Sequence, residues 1–305
     1  MSFEIHAHAQ HGYFSSLTIG LTTVLTTVIL VLLVFVYSRG WFRLRRASPL
    51  SFPPWRVAAF AAGLFSLWIA LGSPLAALDH QLLTVHMMKH LLLMAVGAPL
   101  ILLGAPAMPL LCGLPKWFMR LSLLLRSRTP KLSLLGHFLS NPVFCWLTGT
   151  AAVIAWHIPT LFQLGLSSDT WHIVENACFL SAGLLFWRPI IRTGPREAKG
   201  PQWSMPLYLF LGTLPCDILS AFLTFCGRVV YSGYVSTARI WNLSPLQDQE
   251  CAGALMWVCV TFAYLIPAVV ITIQILSPSH AQREAQGALY EFPAPKLSGS
   301  GAEAV

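Results

Sequence analysis

His86 and His90 stand four residues apart in Val85-His86-Met87-Met88-Lys89-His90, directly before an apolar run from Leu91 to Leu103. On a helix that spacing puts both imidazoles on one face, about 40° apart around the axis. Neutral imidazole is the commonest metal ligand, and its second nitrogen is often oriented by a carboxylate. Met94 follows His90 by four positions and continues the same face. His157 lies in Trp156-His157-Ile158-Pro159, and His172 shares a helical face with Glu175 and Asn176, three and four residues on. Thioether and thiolate donors select soft Cu(I), so His, Met and Cys together suit copper better than magnesium or calcium; ligand type alone leaves zinc open.

Each of these residues also has a plainer role open to it. His86 and His90 can hydrogen-bond between helices, although ionisable groups at or inside a membrane helix are costly and generally functional. His157 can serve a proline-ended helix, and His172 can pair with Glu175. Met87 and Met88 are expected to pack, and Lys89 to snorkel to the interface. Asp217, just after Pro215-Cys216, must pair or be protonated at membrane depth; it and Glu175 are expected to orient ligands or balance charge. Asp79 is placed to do the same or to N-cap the helix that follows. The arm His6-Ala7-His8-Ala9-Gln10-His11 is either a metal acceptor or a solvated tail.

The elements that must position these side chains are membrane helices. Of 305 residues, 56% are hydrophobic and 10% charged, the mean hydropathy is +0.67, and soluble domains carry roughly 25% charged residues. The expected fold is all-α, a polytopic bundle of seven transmembrane helices over approximately 14–37, 55–75, 82–104, 143–162, 172–191, 205–226 and 252–276, each near the ~20 residues a crossing needs. Residues 1–13 form the His-containing arm, 14–276 the membrane domain, and 277–305 a Gly-, Ala-, Ser- and Pro-rich tail expected to be disordered. Pro99, Pro106, Pro109 and Pro115 are expected to end or break the third helix. No Lys or Arg precedes the first apolar run, which argues against a cleaved secretory signal.

Basic residues orient the bundle. Arg39, Arg43, Arg45, Arg46 and Arg56 follow helix 1; Lys116, Arg120, Arg126, Arg128 and Lys131 follow helix 3; Arg188, Arg192, Arg196 and Lys199 surround the end of helix 5; and Arg283 and Lys296 lie in the tail. The alternate connections hold only Arg228 and Arg239, with Asp79, Asp169, Asp248 and Glu250. The positive-inside rule then places the N-terminus outside and the C-terminus in the cytoplasm. The same asymmetry accounts for the net charge of +8 without any nucleic-acid partner.

With that orientation, eight of the ten histidines (His6, His8, His11, His80, His86, His90, His157 and His172) fall on the outer side, against His137 and His280 inside. The outer halves of helices 3 to 7 are thus expected to converge on one imidazole-rich pocket. Cys226 and Cys251 flank the last outer loop, where sequence leaves a disulfide undecided. Other chemistries find no support: there is no phosphate loop, no nucleophile elbow and no haem-attachment C-x-x-C-H, and helix 7 carries no lysine for a retinal. Met87 occupies the glutamate position of an H-E-x-x-H site.

Several patches in order carry a family resemblance: His86-Met87-Met88-Lys89-His90 with Ala98-Pro99-Leu100; Trp156-His157-Ile158-Pro159-Thr160-Leu161-Phe162; Trp171-His172 with Gly183-Leu184-Leu185-Phe186-Trp187; Leu223-Thr224-Phe225 with Tyr231 and Tyr234; and Asp248-Gln249-Glu250-Cys251-Ala252-Gly253-Ala254-Leu255-Met256-Trp257. In these, from about residue 50 to 276, the chain resembles the caa3-type cytochrome c oxidase assembly factor family, the seven-helix CtaG proteins. It departs where that family often has Gln at Lys89 and Gly-Gly at Ala252-Gly253. The resemblance implies a non-catalytic assembly factor of the bacterial inner (plasma) membrane. Its partners would be the lipid bilayer and oxidase subunits or copper chaperones, and its role a part in copper delivery. The metal site expected from the residues is His86, His90, His157 and His172 with Met94; Glu175, Asp217 and Asp79 support it, and copper is the bound species. The alternatives are a haem-binding or redox membrane protein, a metal transporter, and a scaffold whose histidines only stabilise packing.

Overall fold

The computed structural model describes residues 2–48, 52–115, 117–118, 136, 138–191, 203–235 and 241–277, with side chains from residue 20 onward. The side chains of the N-terminal histidine arm lie outside the described residues, as do His137, residues 278–305, and most of the inner basic residues, including Arg120, Arg126, Arg128, Lys131, Arg192, Arg196 and Lys199.

Among the described residues the regular elements are all helical. They are α1 (Ser2–Ala47), α2 (Trp55–Gly72), a 3₁₀ turn (Pro74–Leu78), α3 (Leu83–Leu103), α4 (Ala107–Gly113), α5 (Pro142–Trp156), α6 (Pro159–Ser167), α7 (Asp169–Trp187), α8 (Ser204–Phe225) and α9 (Pro245–Leu276). Among the described residues, five helices are long and apolar enough to cross a membrane, or six if α5 and α6 count as one bent span. Seven such spans were expected. The difference lies at α7, whose Asp169, His172, Glu175 and Asn176 dilute its apolar character.

Helix α3 is the axis of the bundle. Of its most apolar window 61% is buried inside the protein, against 6% for α1 at the periphery. Met87, Leu91 and Ala98 enter one hydrophobic core with Phe162, Phe186 and Trp187, whereas Leu93 and Met94 enter a second with Leu64, Leu67 and Phe179. A helix apolar all round belongs inside. Its histidines are therefore carried into the interior rather than left at an interface.

Helix α3 is also not uniform. Leu92–Gly97 form a π turn, and the Ala98 N–H bonds to the Leu93 carbonyl. Pro99 has no N–H to offer the Ala95 carbonyl four residues back, and a widened turn accommodates that loss. The π turn frees acceptors as well: Trp187 Nε1 donates to the Met94 carbonyl at 3.0 Å and Ser66 Oγ to that of Leu92 at 2.9 Å. π turns inside α-helices are frequent at functional sites. The expected break after helix 3 is present, at Ala105, whose φ is 46°.

The expected single helix over 143–162 is instead two, α5 and α6, bent by 76°. Pro159 is the cause. It cannot bond to the Ala155 carbonyl, and it holds the preceding Ile158 in an extended conformation, ψ 127°. His157 sits at the corner. By contrast, α8 runs through Pro215 as one helix.

Asp248 supplies the N-cap of α3 from another helix: its carboxylate accepts from the backbone N–H groups of Leu83 at 2.6 Å and Thr84 at 3.1 Å. The capping role open to Asp79 in the sequence is thus filled by Asp248.

Candidate metal centre

The His86 and His90 Nε2 atoms lie 2.8 Å apart, on the shared face their spacing predicts. Glu175, nearly two turns into α7, points its Oε1 at both, 3.5 Å from His86 Nε2 and 3.3 Å from His90 Nε2. All three side chains are buried. Glu175 was expected to orient a ligand through its far nitrogen; here it faces the same inward nitrogens a metal would use. Among the described residues, both Nδ1 atoms and both Glu175 oxygens lack a hydrogen-bond partner.

Aromatic rings fix the imidazoles. Phe162 of α6 stands against His86 with centroids 4.9 Å apart, and Phe179 of α7 stacks on His90 at 3.9 Å. The carboxylate fits because residue 165 is glycine: a Cβ there would lie 2.9 Å from Glu175 Oε2. Close approach of α7 to the π turn likewise depends on Gly183, where a Cβ would lie 2.9 Å from Met94 Cα.

His157, at the α5–α6 corner, donates from Nδ1 to the Val153 carbonyl at 2.7 Å. That bond sets its tautomer and leaves Nε2, buried and without a partner, as a free acceptor. His90, Met94, His157, Phe179, Cys216 and Met256 line one cavity. Met94 therefore stays beside His90 despite the intervening π turn. Asp217 stands apart from these groups; its Oδ1 is buried without a partner.

His172 belongs to a neighbouring cluster. Its Nε2 lies 3.3 Å from Asp79 Oδ2 and contacts Lys89 Nζ, while its ring stacks on His86 at 5.9 Å. Lys89 forms a close ion pair with Asp79; both are buried, so this lysine turns inward rather than snorkelling. His80 Nε2 completes the cluster, 3.6 Å from Asp79 Oδ1. Burial alone would raise the Asp79 carboxyl's pKa, but the His172 hydrogen bond and the Lys89 charge outweigh it and hold the group well below the usual carboxylate range.

Each of the sets His86/His90/Glu175 and Asp79/His80/His172 brings its donor atoms within 4.8 Å of one another. At the first, the 3.3 and 3.5 Å nitrogen–oxygen separations match the edge of about 3.3 Å that ~2.0 Å bonds give a tetrahedral site. The 2.8 Å nitrogen pair is a hydrogen bond; for both Nε2 atoms to bind a metal its proton would shift to the Nδ1 of the same ring, which keeps both imidazoles neutral.

The first part of the loop after α8, residues 226–235, covers both clusters. Tyr231 donates to the His157 carbonyl at 3.1 Å and Tyr234 to the Asp79 carbonyl at 2.7 Å. Gln249 of α9 anchors that loop, accepting from the Val230 N–H at 2.7 Å and donating to the Arg228 carbonyl at 3.1 Å. Cys226 and Cys251 are both free thiols. Sequence reasoning missed Gln249 and Asp248 as positioning residues. Their signal was present: polar side chains in the first turns of an otherwise apolar helix.

Comparison with curated proteins and with solved structures returns no match. The chain does match one family model over residues 35–277, a range that contains both clusters and every helix packed around them. The protein belongs to the cytochrome c oxidase caa3 assembly factor family.

Proposed function

We propose that the protein is a non-catalytic assembly factor that accepts one copper(I) ion at His86, His90 and Glu175 and presents it during maturation of a membrane cytochrome c oxidase. In this reading α7 also crosses the membrane, as the fifth of seven spans, and the protein lies in a bacterial inner membrane. The N-terminus is outside and the C-terminus cytoplasmic, so the site opens toward the outer face. A copper donor and an oxidase subunit are its partners, and copper is cargo rather than a resident cofactor.

One observation carries the proposal: Glu175 is a buried carboxylate whose oxygens lack hydrogen-bond partners and whose Oε1 faces two imidazole nitrogens. With neutral imidazoles the set has a formal charge of −1. An unbalanced buried charge is expensive, and a monovalent cation neutralises it where a divalent one would overshoot. His157, with its partnerless Nε2, and Met94, in the same cavity, are the donors placed to complete the coordination. Met94 favours the soft ion.

The test is copper(I) loading of the detergent-purified protein against a chromogenic chelator, with elemental analysis and an optical spectrum. The expected result is one equivalent, lost in His86→Ala/His90→Ala. Copper that stays stoichiometric in that double variant sinks the site, and a Soret band would transfer the assignment to haem.

A further inference from the structure

The histidines of the two clusters form a continuous line from the surface to the buried carboxylate. His80 and His172 have ring centroids 4.9 Å apart, His172 and His86 5.9 Å, and His86 and His90 4.5 Å. Side-chain exposure falls from 43% at His80 to 13% at His172 and 1% at His86, and is 7% at His90. Graded exposure lets an incoming ion exchange the ligands it arrives with for protein donors in steps.

The outer members of that line are themselves a ligand set. Asp79 Oδ1 and Oδ2 face His80 and His172 respectively, and Oδ1 is buried with no hydrogen-bond partner. A cation already stands there: Lys89 Nζ pairs with Asp79 Oδ2 and contacts His172 Nε2. Formal charge is therefore balanced at this cluster, −1 from Asp79 against +1 from Lys89, whereas the inner set has no basic side chain of its own. Lys89 and His90 are adjacent in α3, so the tethered ammonium and the inner site are held in fixed register by one helix turn.

We propose that Asp79, His80 and His172 form an outer metal station through which a copper(I) ion reaches His86, His90 and Glu175, and that Lys89 is its resident counter-cation. An incoming ion takes the Asp79 and His172 donors by displacing Lys89 Nζ, whose charge is then balanced by Glu175, the second carboxylate acting on it, so that two carboxylates, the ammonium and the ion sum to zero. It then exchanges ligands across the stacked His172/His86 pair, and Lys89 returns to Asp79 as the ion moves inward. No electron is transferred, and each step exchanges one cation for another at the same carboxylate. The route rests on the copper reading of the inner site, although the station can be tested without it.

The experiment uses the full-length protein in detergent, with copper(I) supplied as its bicinchoninate complex. Stopped-flow loss of that complex's absorbance gives the loading rate, and elemental analysis gives the equivalents bound. His80→Ala, at the exposed end, is expected to slow loading at least tenfold; a folded His80→Ala protein that loads at the wild-type rate overturns the route. Lys89→Met is expected to hold one equivalent more than wild type, because the station keeps an ion where the ammonium stood. Lys89→Gln, which retains a donor for Asp79, is the companion variant should Met disturb folding. No added equivalent in a folded Lys89 variant overturns the station. If wild type binds no copper, the inner-site reading has failed. The Lys89 variant then decides alone: one equivalent sustains the station, and none overturns it.

Discussion

The two clusters use the same materials to different ends. Each has one carboxylate and two imidazoles, each is anchored to α7, and the rings of His172 and His86 stack directly on one another. The outer set contains Lys89, paired with Asp79. In the inner set Glu175 faces only imidazole nitrogens. The outer cluster already holds a cation, the Lys89 ammonium, which an incoming ion must displace, whereas the inner one has no basic side chain of its own and takes its positive charge from a proton or a bound cation. Ligand types alone would rank the two as equal; the counter-ion separates them.

Removing each carboxylate should therefore have opposite consequences. Asp79→Asn leaves the Lys89 ammonium buried without its counter-charge, and loss of one member of a buried pair costs about 3–5 kcal/mol. Thermal unfolding of the detergent-solubilised protein should show it as the largest stability loss of the series. Glu175→Gln removes an uncompensated charge, so the metal-free protein should melt no lower than wild type while copper(I) affinity falls about 100-fold, ~2.7 kcal/mol. A marked drop in melting temperature in metal-free Glu175→Gln would break the comparison, since it would mean the inner carboxylate is already paired.

Gly165→Ala sharpens the same contrast more gently. Its Cβ would come 2.9 Å from Glu175 Oε2, and a displaced carboxylate should lower copper affinity by about 10-fold, the low end for perturbed ligand support. Wild-type affinity in a folded Gly165→Ala protein would show that the carboxylate's position is not needed. An effect of similar size, on stability alone, is expected from Asp248→Ala, which strips the cap from the first turn of α3 and should cost about 1–2 kcal/mol, measured in the same melts.

Much of the fold was legible because helical periodicity is local. Spacing alone put His86 and His90 on one face, and hydropathy found the helices of α2, α3, α8 and α9 to within several residues. Local rules failed where a backbone defect intervened. Pro159 divides the span expected over 143–162, and the register change at Leu92–Gly97 is invisible to a hydropathy window. Of the candidate ligands, His86, His90, His157 and Met94 do gather in one interior region. His172 is turned to Asp79 and Lys89 instead, and Asp217 stands outside both clusters. Lys89 is the instructive error: a lysine at an apolar helix end ordinarily snorkels, but α3 is central, and Asp79 offers it a nearer charge than the interface does.

By itself the sequence determined an all-helical membrane protein, a histidine pair sharing one helix face, and a family resemblance that the match over residues 35–277 bears out. Each follows from chain-local quantities: hydropathy, spacing and the order of short motifs. Only the tertiary structure decided that Glu175 faces both Nε2 atoms, that Asp79 is matched by Lys89 while Glu175 has no such match, and that Asp248 caps a helix 164 and 165 residues away. Those pairings depend on how far α7 and α9 are rotated and how closely they approach α3. Interhelical contacts such as those at Gly165 and Gly183 set that approach, and no periodicity within a single helix encodes it.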